Sequence, residues 1–287
     1  QGNPSTSFHA HEGRLTRICL EVVGHSSSTM NRSSSLRSAT GEWTGRVVTV
    51  GTDQAIKLWD LRARKPLAFK FSGHTEPITS VQIDLEKSAI VSGSKDGSVR
   101  VWDTRTGRSR FHFTQHLGGV QCVAVDESCD GGRGAYLSGA RDSTINIWSR
   151  TTGRSLRTLR NHKGLVTCMA VRHCEGRNGS SRLATGSSDG LLRIWDHHNA
   201  RCSRTFNAHQ QTITCLAWSS VPGMVLTGAG DAMLRVWNTR TGRLMKTWKG
   251  HSGAITQLIT DDRYAYSSSR DGTVRIWALQ RPTSRVD

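Results

Sequence analysis

Residues 92–103 read SGSKDGSVRVWD, and close variants of this phrase occur five more times along the 287 residues. The second half alternates apolar and polar residues, a pattern that predicts a half-buried β-strand. Each strand ends on a tryptophan, at Trp59, Trp102, Trp148, Trp195, Trp237 and Trp277, and these are separated by 43, 46, 47, 42 and 40 residues. A period of this length predicts a repeat architecture.

Two further positions keep a fixed distance to each tryptophan, and a third recurs at the start of each unit. An aspartate stands six residues before it, at Asp53, Asp96, Asp142, Asp189, Asp231 and Asp271. A hydroxyl stands ten residues before it, at Thr49, Ser92, Ser138, Thr185, Thr227 and Ser267. A histidine opens each unit, at His11, His74, His116, His162, His209 and His251. Indole N–H only donates, hydroxyl and neutral imidazole both donate and accept, and carboxylate only accepts. We therefore predict one hydrogen-bonded chain per unit, running from Trp through Ser/Thr and His to Asp.

The units resemble the WD-repeat (WD40) family, on the evidence of Gly73–His74, Gly250–His251 and the Trp-Asp pairs at 59–60, 102–103 and 195–196. The resemblance implies an all-β fold, a WD40 β-propeller of six four-stranded antiparallel blades. Seven blades in a longer parent chain is the alternative. Within a single domain, 1–287, the repeats are expected at 9–60, 72–103, 114–149, 160–196, 207–238 and 249–278. Residues 4–8 are expected to close the ring as an outer strand beside 273–277, and residues 24–45 to form a flexible Ser-rich insertion.

Six equivalent sets of Ser or Thr, His and Asp argue against an enzyme, because a catalytic triad needs one activated nucleophile. The prediction is a protein without catalytic activity and without a cofactor or metal. Cys122, Cys168 and Cys215 recur at one offset and are expected to be small buried packing residues. His197, His198 and Cys202 are candidate metal ligands, but a fourth ligand at suitable spacing is missing.

The charge balance favours anionic partners. The chain has 39 Lys and Arg against 22 Asp and Glu, a formal net charge of +17, and such an excess attracts anions. Seven cysteines form an odd set without a Cys-x-x-Cys pair, which indicates a reducing compartment. Without a visible signal sequence or a long apolar run, the expectation is an intracellular protein, cytoplasmic or nuclear, that forms part of a larger polypeptide or complex.

In propellers similar to this chain, partners contact the residues three and five places after the histidine and one place before the aspartate. The resemblance thus implies a partner-binding rim that includes Arg14, Thr16, Thr52, Thr79, Lys95, Gln121, Arg141, Thr167, Thr214, Thr256 and Arg270. The full set of eighteen such positions contains no acidic residue. An acidic or phosphorylated protein segment is the expected ligand, because guanidinium groups bind carboxylates and phosphates in bidentate fashion.

The predicted function is a non-catalytic scaffold for protein–protein interactions within a multiprotein complex, and two alternatives stay open. The phrases ending in Arg62 and Arg105 resemble the Trp-Asp-x-Arg box of substrate receptors for cullin-RING ubiquitin ligases. The other alternative is a basic propeller that docks on an anionic surface, whether phosphopeptide, phospholipid membrane or nucleic acid.

Overall fold

The structure, a computed structural model, describes residues 10–22, 43–63, 66–127, 134–172 and 181–279. The regular structure in these ranges is entirely β-strand. No described helix has the length and apolar character that a membrane crossing requires.

The strands form six antiparallel sheets in chain order, and each sheet is one blade. The first blade contains β1 (Leu15–Val22), β2 (Trp43–Gly51), β3 (Ile56–Asp60) and β4 (Leu67–Phe71). The second contains β5 (Ile78–Asp84), β6 (Ala89–Ser94), β7 (Val99–Asp103) and β8 (Ser109–Phe113). The third contains β9 (Val120–Asp126), β10 (Ala135–Ala140), β11 (Thr144–Ser149) and β12 (Ser155–Arg160).

The second half of the chain repeats this arrangement. The fourth blade contains β13 (Val166–Arg172), β14 (Arg182–Ser187), β15 (Leu191–Asp196) and β16 (Arg201–Asn207). The fifth contains β17 (Ile213–Trp218), β18 (Met224–Ala229), β19 (Leu234–Asn238) and β20 (Leu244–Trp248). The sixth contains β21 (Ile255–Thr260), β22 (Tyr264–Ser269) and β23 (Val274–Ala278).

The predicted all-β propeller architecture with six blades is confirmed. Five blades have four strands, and the sixth has three within the described residues. The ring-closing strand predicted at 4–8 lies outside the described residues, and so does most of the insertion predicted at 24–45.

Each turn between the second and third strands holds one residue in the left-handed backbone region. This residue directly follows the aspartate that stands six residues before each repeat tryptophan. The six residues, Gln54, Gly97, Ser143, Gly190, Ala232 and Gly272, have φ between 61° and 79°. Left-handed geometry costs a non-glycine residue about 1–2 kcal/mol. The turn is held because the aspartate carboxylate accepts the backbone N–H two residues onward, as Asp96 does from Ser98 at 2.8 Å. This places the residue before each aspartate at the tip of a rigid turn.

The core lies between consecutive blades. Val99, Val101 and Phe113 of the second blade belong to one buried cluster with Val123 and Trp148 of the third. The rings of Phe113 and Trp148 stack with centroids 4.3 Å apart. The innermost strands β1, β5, β9, β13, β17 and β21 contact one another in that order. Each blade is therefore stabilised mainly by its neighbours, as expected for a repeat protein.

The outer faces of the first and sixth blades are uncovered. Val274 is 70% exposed and Ile276 is 64% exposed, whereas Val99 and Ile147, their counterparts in the second and third blades, are each 1% exposed. Ile18 on the first blade is 58% exposed, and its counterpart Val123 is 7% exposed. A closed ring of six blades would cover these side chains. Their exposure is what the seven-blade alternative predicts.

This difference in burial predicts two very different costs for the same substitution. Ile147→Ala should lower the free energy of unfolding by about 2–5 kcal/mol, because it leaves a cavity between the third and fourth blades. Ile276→Ala should change it by no more than about 0.5 kcal/mol, because the side chain already faces solvent. Urea unfolding followed by tryptophan fluorescence measures both. Equal losses would show that the face of the sixth blade is covered.

Candidate interaction surface

The predicted hydrogen-bonded chain is formed in all six blades. The tryptophan Nε1 donates to the hydroxyl oxygen over 2.7–3.1 Å. The hydroxyl lies 2.8–2.9 Å from the histidine Nε2. The histidine Nδ1 lies 2.8–3.3 Å from the aspartate carboxylate. Since Nε2 accepts from the hydroxyl, Nδ1 carries the imidazole proton and donates to the carboxylate.

These chains hold the rim in place. The aspartate carboxylate also accepts the backbone N–H of the residue after the histidine, as Asp142 does from Leu117 at 2.9 Å and Asp271 from Ser252 at 3.0 Å. The entry loop of a blade is thereby fixed beside the turn that joins its second and third strands. In every blade, the N–H of the residue before the aspartate donates to the carbonyl three residues after the histidine, over 2.9–3.0 Å. The two positions predicted to share the rim are therefore adjacent in space.

The cationic side chains of the predicted rim point outward. Arg14, Lys95, Arg141 and Arg270 are exposed, and none of them forms an ion pair with another described residue. Thr52 is also exposed, and its hydroxyl accepts the backbone N–H of Arg14 at 2.9 Å. The rim thus presents four cations without an ion pair to a described residue, three of them on the rigid turns and Arg14 on an entry loop.

The threonines of the predicted rim bond between blades. The hydroxyl of Thr79 lies 2.9 Å from the carbonyl of Gly93 in its own blade and 2.6 Å from that of Val120 in the next. Thr16, Thr167 and Thr214 make the same pair of contacts in their blades. These hydroxyl protons are used inside the fold. Each of these threonines stands five residues after the histidine of its repeat, and this constant spacing is the feature of the sequence that indicates a structural role.

The two remaining rim residues depart from this pattern. Thr256 is exposed, and its hydroxyl lies 2.9 Å from that of Ser268 within the sixth blade. Gln121 takes the threonine position in the third blade, and its amide donates to the carbonyl of Gly119 at 3.3 Å. Of the predicted rim, the exposed residues therefore offer the clearest contacts to a partner.

The opposite end of the blades carries the turns after the tryptophans. Arg62 and Arg105 are exposed there, and their backbone N–H groups donate to Asp60 at 3.0 Å and Asp103 at 2.9 Å. Asp103 also accepts Arg110 at 2.6 Å. This bond and the backbone N–H of Arg105 lower the pKa of the Asp103 carboxyl to about 2. The turn is therefore held by charged hydrogen bonds that position the arginine backbone.

Arg150 differs from Arg62 and Arg105. It follows Trp148 by two residues and lies at the same end of the blades. Its side chain is instead 1% exposed, and its guanidinium pairs with Asp84 and Glu86 of the second blade. The phenol of Tyr136 also donates to Asp84, at 3.0 Å. Arg150 therefore links the third blade to the second, because its carboxylate partner Asp84 lies 66 residues earlier in the chain.

The three recurring cysteines lie at the blade interfaces. Cys122 and Cys215 are buried, and Cys168 is partly buried. Burial raises the pKa of the Cys122 and Cys215 thiols to about 12, and it also raises the pKa of Cys168 well above its usual value. A protonated thiol is a poor nucleophile and a poor metal ligand. Packing is therefore the role that their environment supports.

Comparison with known protein families agrees with this repeat pattern. The family described as "WD domain, G-beta repeat" matches residues 65–103, 107–149, 153–196, 200–238 and 242–278. These matches span most of the chain and correspond to five of the six units.

Several curated proteins are similar to parts of the chain. Mitogen-activated protein kinase kinase kinase A of Dictyostelium discoideum is 30% identical over 42% of this chain and 12% of its own length. F-box/WD repeat-containing protein 10 of Mus musculus is 31% identical over 28% of this chain and 8% of its own. Target of rapamycin complex subunit LST8 of Saccharomyces cerevisiae is 29% identical over 32% of this chain and 29% of its own. The matched regions thus cover less than a third of each relative.

The buried histidines predict a loss of stability in acid. Burial, with the nearby Arg193 guanidinium, lowers the pKa of His162 to about 4, and burial also lowers the pKa of His74 and His209. The unfolded chain, whose histidines titrate near about 6.5, therefore binds more protons than the folded chain below that pH. The free energy of unfolding should fall between about pH 6.5 and the folded pKa values.

Urea midpoints measured from about pH 7 down to about pH 5 test this expectation. The His162→Asn variant should show a shallower dependence on pH, because it lacks one of the titrating groups. A wild-type midpoint that stays level or rises over this range would contradict the neutral state assigned to these imidazoles.

Proposed function

The chain belongs to the WD40-repeat family, and on that premise we propose that it is a non-catalytic scaffold for protein–protein interactions within a multiprotein complex. Proteins of this family generally act as scaffolds without catalysis. One relative, LST8, is named as a subunit of a complex. The observation that carries the proposal is the rim: six equivalent hydrogen-bonded chains brace its loops and turns, and its four exposed cations form no ion pair with another described residue.

We further propose that the rim binds an acidic or phosphorylated protein segment. Arg14, Lys95, Arg141 and Arg270 contribute the positive charge, and the eighteen rim positions contain no carboxylate that would neutralise it. Arginine binds carboxylate and phosphate through two parallel hydrogen bonds, which adds geometric selectivity to the charge attraction. The rigid turns support affinity because little conformational freedom is lost on binding.

Charge reversal on the rim tests this proposal. The double variant Arg141→Glu plus Arg270→Glu should bind a fluorescent phosphoserine-glutamate peptide at least about tenfold more weakly in fluorescence polarisation, because two attractive contacts become repulsive. The matched control is Arg105→Glu plus Arg154→Glu, which makes the same charge change on exposed arginines at the opposite end.

Three outcomes of this comparison differ in meaning. Loss of binding in the rim variant alone supports the proposal. Equal loss in both variants would show that net charge, or the opposite basic end, attracts the peptide, as in the anionic-surface alternative. Unchanged binding in the rim variant would refute a role for the rim.

A second candidate is the substrate receptor of a cullin-RING ubiquitin ligase. It is favoured by the matched placement of Arg62 and Arg105, both exposed after the Trp-Asp pairs of adjacent blades. Arg62→Ala plus Arg105→Ala should then abolish co-purification of the ligase adaptor while leaving peptide binding at the rim intact. If this variant still co-purifies with the adaptor, the Trp-Asp-x-Arg motifs at Arg62 and Arg105 do not bind it.

We also propose an intracellular location. The described cysteines Cys122, Cys168, Cys202 and Cys215 form no disulfide with another described residue. Unpaired buried thiols are characteristic of proteins kept in reducing compartments.

A further inference from the structure

A cluster of side chains lies at the joint between the third and fourth blades. Asp126 ends β9, Ser181 precedes β14, and His197 and His198 follow β15. The Oδ2 atom of Asp126 lies 2.5 Å from Nε2 of His197 and 2.6 Å from Oγ of Ser181. The same Oγ lies 3.1 Å from Nε2 of His197 and 3.4 Å from Nε2 of His198. One carboxylate oxygen, two imidazole nitrogens and a hydroxyl therefore converge on one point.

The burial of the cluster is unusual for such polar groups. Asp126, Ser181 and His197 are at most 1% exposed, and His198 is half-buried. The two imidazole rings stack with centroids 4.9 Å apart. Stacking on a neighbour restricts the orientation of each ring, so both nitrogens are already directed toward Ser181 before any ligand arrives.

The repeat pattern shows which residue takes the position of Arg150 at this joint. Asp126 stands ten residues after His116, and His197 stands two residues after Trp195. His116 and Trp195 belong to the hydrogen-bonded chains of the third and fourth blades. The equivalent pair one blade earlier is Asp84 with Arg150, in which a guanidinium supplies a fixed positive charge. A buried carboxylate is stable only when a positive charge or strong donors compensate it. At Asp126 an imidazole, which is a metal ligand in its neutral form, occupies the position of that guanidinium.

The donor set is one that zinc prefers. Zn²⁺ binds imidazole nitrogen and carboxylate oxygen at about 2.0–2.2 Å, usually with four ligands in tetrahedral arrangement. The ligand atoms of Asp126, His197 and His198 already lie within 4.8 Å of one another. Bond lengths of this size place tetrahedral ligand atoms about 3.3 Å apart, so the contact between Asp126 and His197 needs to open by less than about 1 Å.

We propose that Asp126, His197 and His198 form a zinc site that joins the third and fourth blades, with the Ser181 hydroxyl or a water molecule in the fourth position. Ser181 also lines a surface groove with Arg182, Asp196 and Arg201. Nδ1 of His197 has no hydrogen-bond partner among the described residues. A zinc site in which a ligating histidine has no hydrogen bond on its second ring nitrogen is expected to bind the ion about tenfold to a hundredfold more weakly than a site in which that bond is present.

The sequence placed only part of this site. The sequence places His197, His198 and Cys202 close together but shows no fourth ligand near them. Cys202 is directed elsewhere, with its sulfur 3.4 Å from the carbonyl of Arg204. Asp126 supplies the missing carboxylate from 71 residues away.

Metal titration of the 287-residue protein tests the proposal. After treatment with EDTA and removal of the chelator, Zn²⁺ should bind with a stoichiometry of one in isothermal titration calorimetry and should raise the melting temperature. Asp126→Asn and His198→Ala should each weaken binding at least about tenfold, because each removes a ligand. His112→Ala is the matched control, since His112 is an exposed histidine on β8 outside the cluster, and it should bind like the wild type.

Co²⁺ reports which atoms bind. Visible d–d bands without thiolate-to-cobalt charge transfer are expected for a site of nitrogen and oxygen ligands. Charge-transfer absorption would place the ion on cysteine and overturn the proposal, and so would the absence of saturable binding or full binding by both variants. A melting temperature unaffected by Zn²⁺ would show that the cluster is a hydrogen-bonded joint only. Near-UV circular dichroism checks that each variant is folded, and His198→Ala, at a half-buried position, retains the Asp126–His197 pair.

Discussion

The fold depends on the chain of hydrogen bonds from tryptophan through hydroxyl and imidazole to carboxylate. Each chain begins in the buried core and ends at the rim, so it ties the packing of a blade to the position of its loops. Each hydrogen bond contributes about 1 kcal/mol net, but a buried partner left unpaired costs about 1–3 kcal/mol. The arrangement is therefore close to all-or-none within a blade.

Bonds between blades form a second layer of constraint. Threonine hydroxyls bridge successive inner strands, Arg150 pairs with Asp84, and Trp218 donates to the carbonyl of Ala170 at 3.0 Å. A single sheet could not bury both of its apolar faces, so each blade requires a neighbour. The first and sixth blades each lack that cover on one face, which is why isoleucines at repeat positions are buried in the middle of the chain and exposed at its ends.

The excess of positive charge is distributed unevenly between structure and surface. Some arginines, such as Arg150 and Arg110, neutralise carboxylates within the fold. Others, such as Arg141 and Arg270, are exposed without an ion pair to a described residue, and these are the charges that a ligand can meet. Net charge alone consequently overstates the area available for anions. The position of each cation relative to its turn is what separates a binding contact from a structural one.

The sequence by itself determined the blades, their strand order and the membership of every Trp–Ser/Thr–His–Asp chain. In each repeat the hydroxyl and the aspartate lie at constant offsets from the tryptophan, a histidine opens the repeat, and all four residues meet within one blade. The resemblance to the WD40 family also located the rim cations, of which Lys95, Arg141 and Arg270 directly precede an aspartate and Arg14 follows a histidine by three residues. Only the tertiary structure decided what happens between blades: the burial of Arg150 against Asp84, the threonine bridges, the exposure of Ile276, and the meeting of Asp126 with His197 and His198. The physical reason is that the three kinds of contact join residues more than 40 positions apart on different sheets, and the exposure of Ile276 depends on whether another blade covers it. The pattern within one repeat does not show which residues of different blades meet.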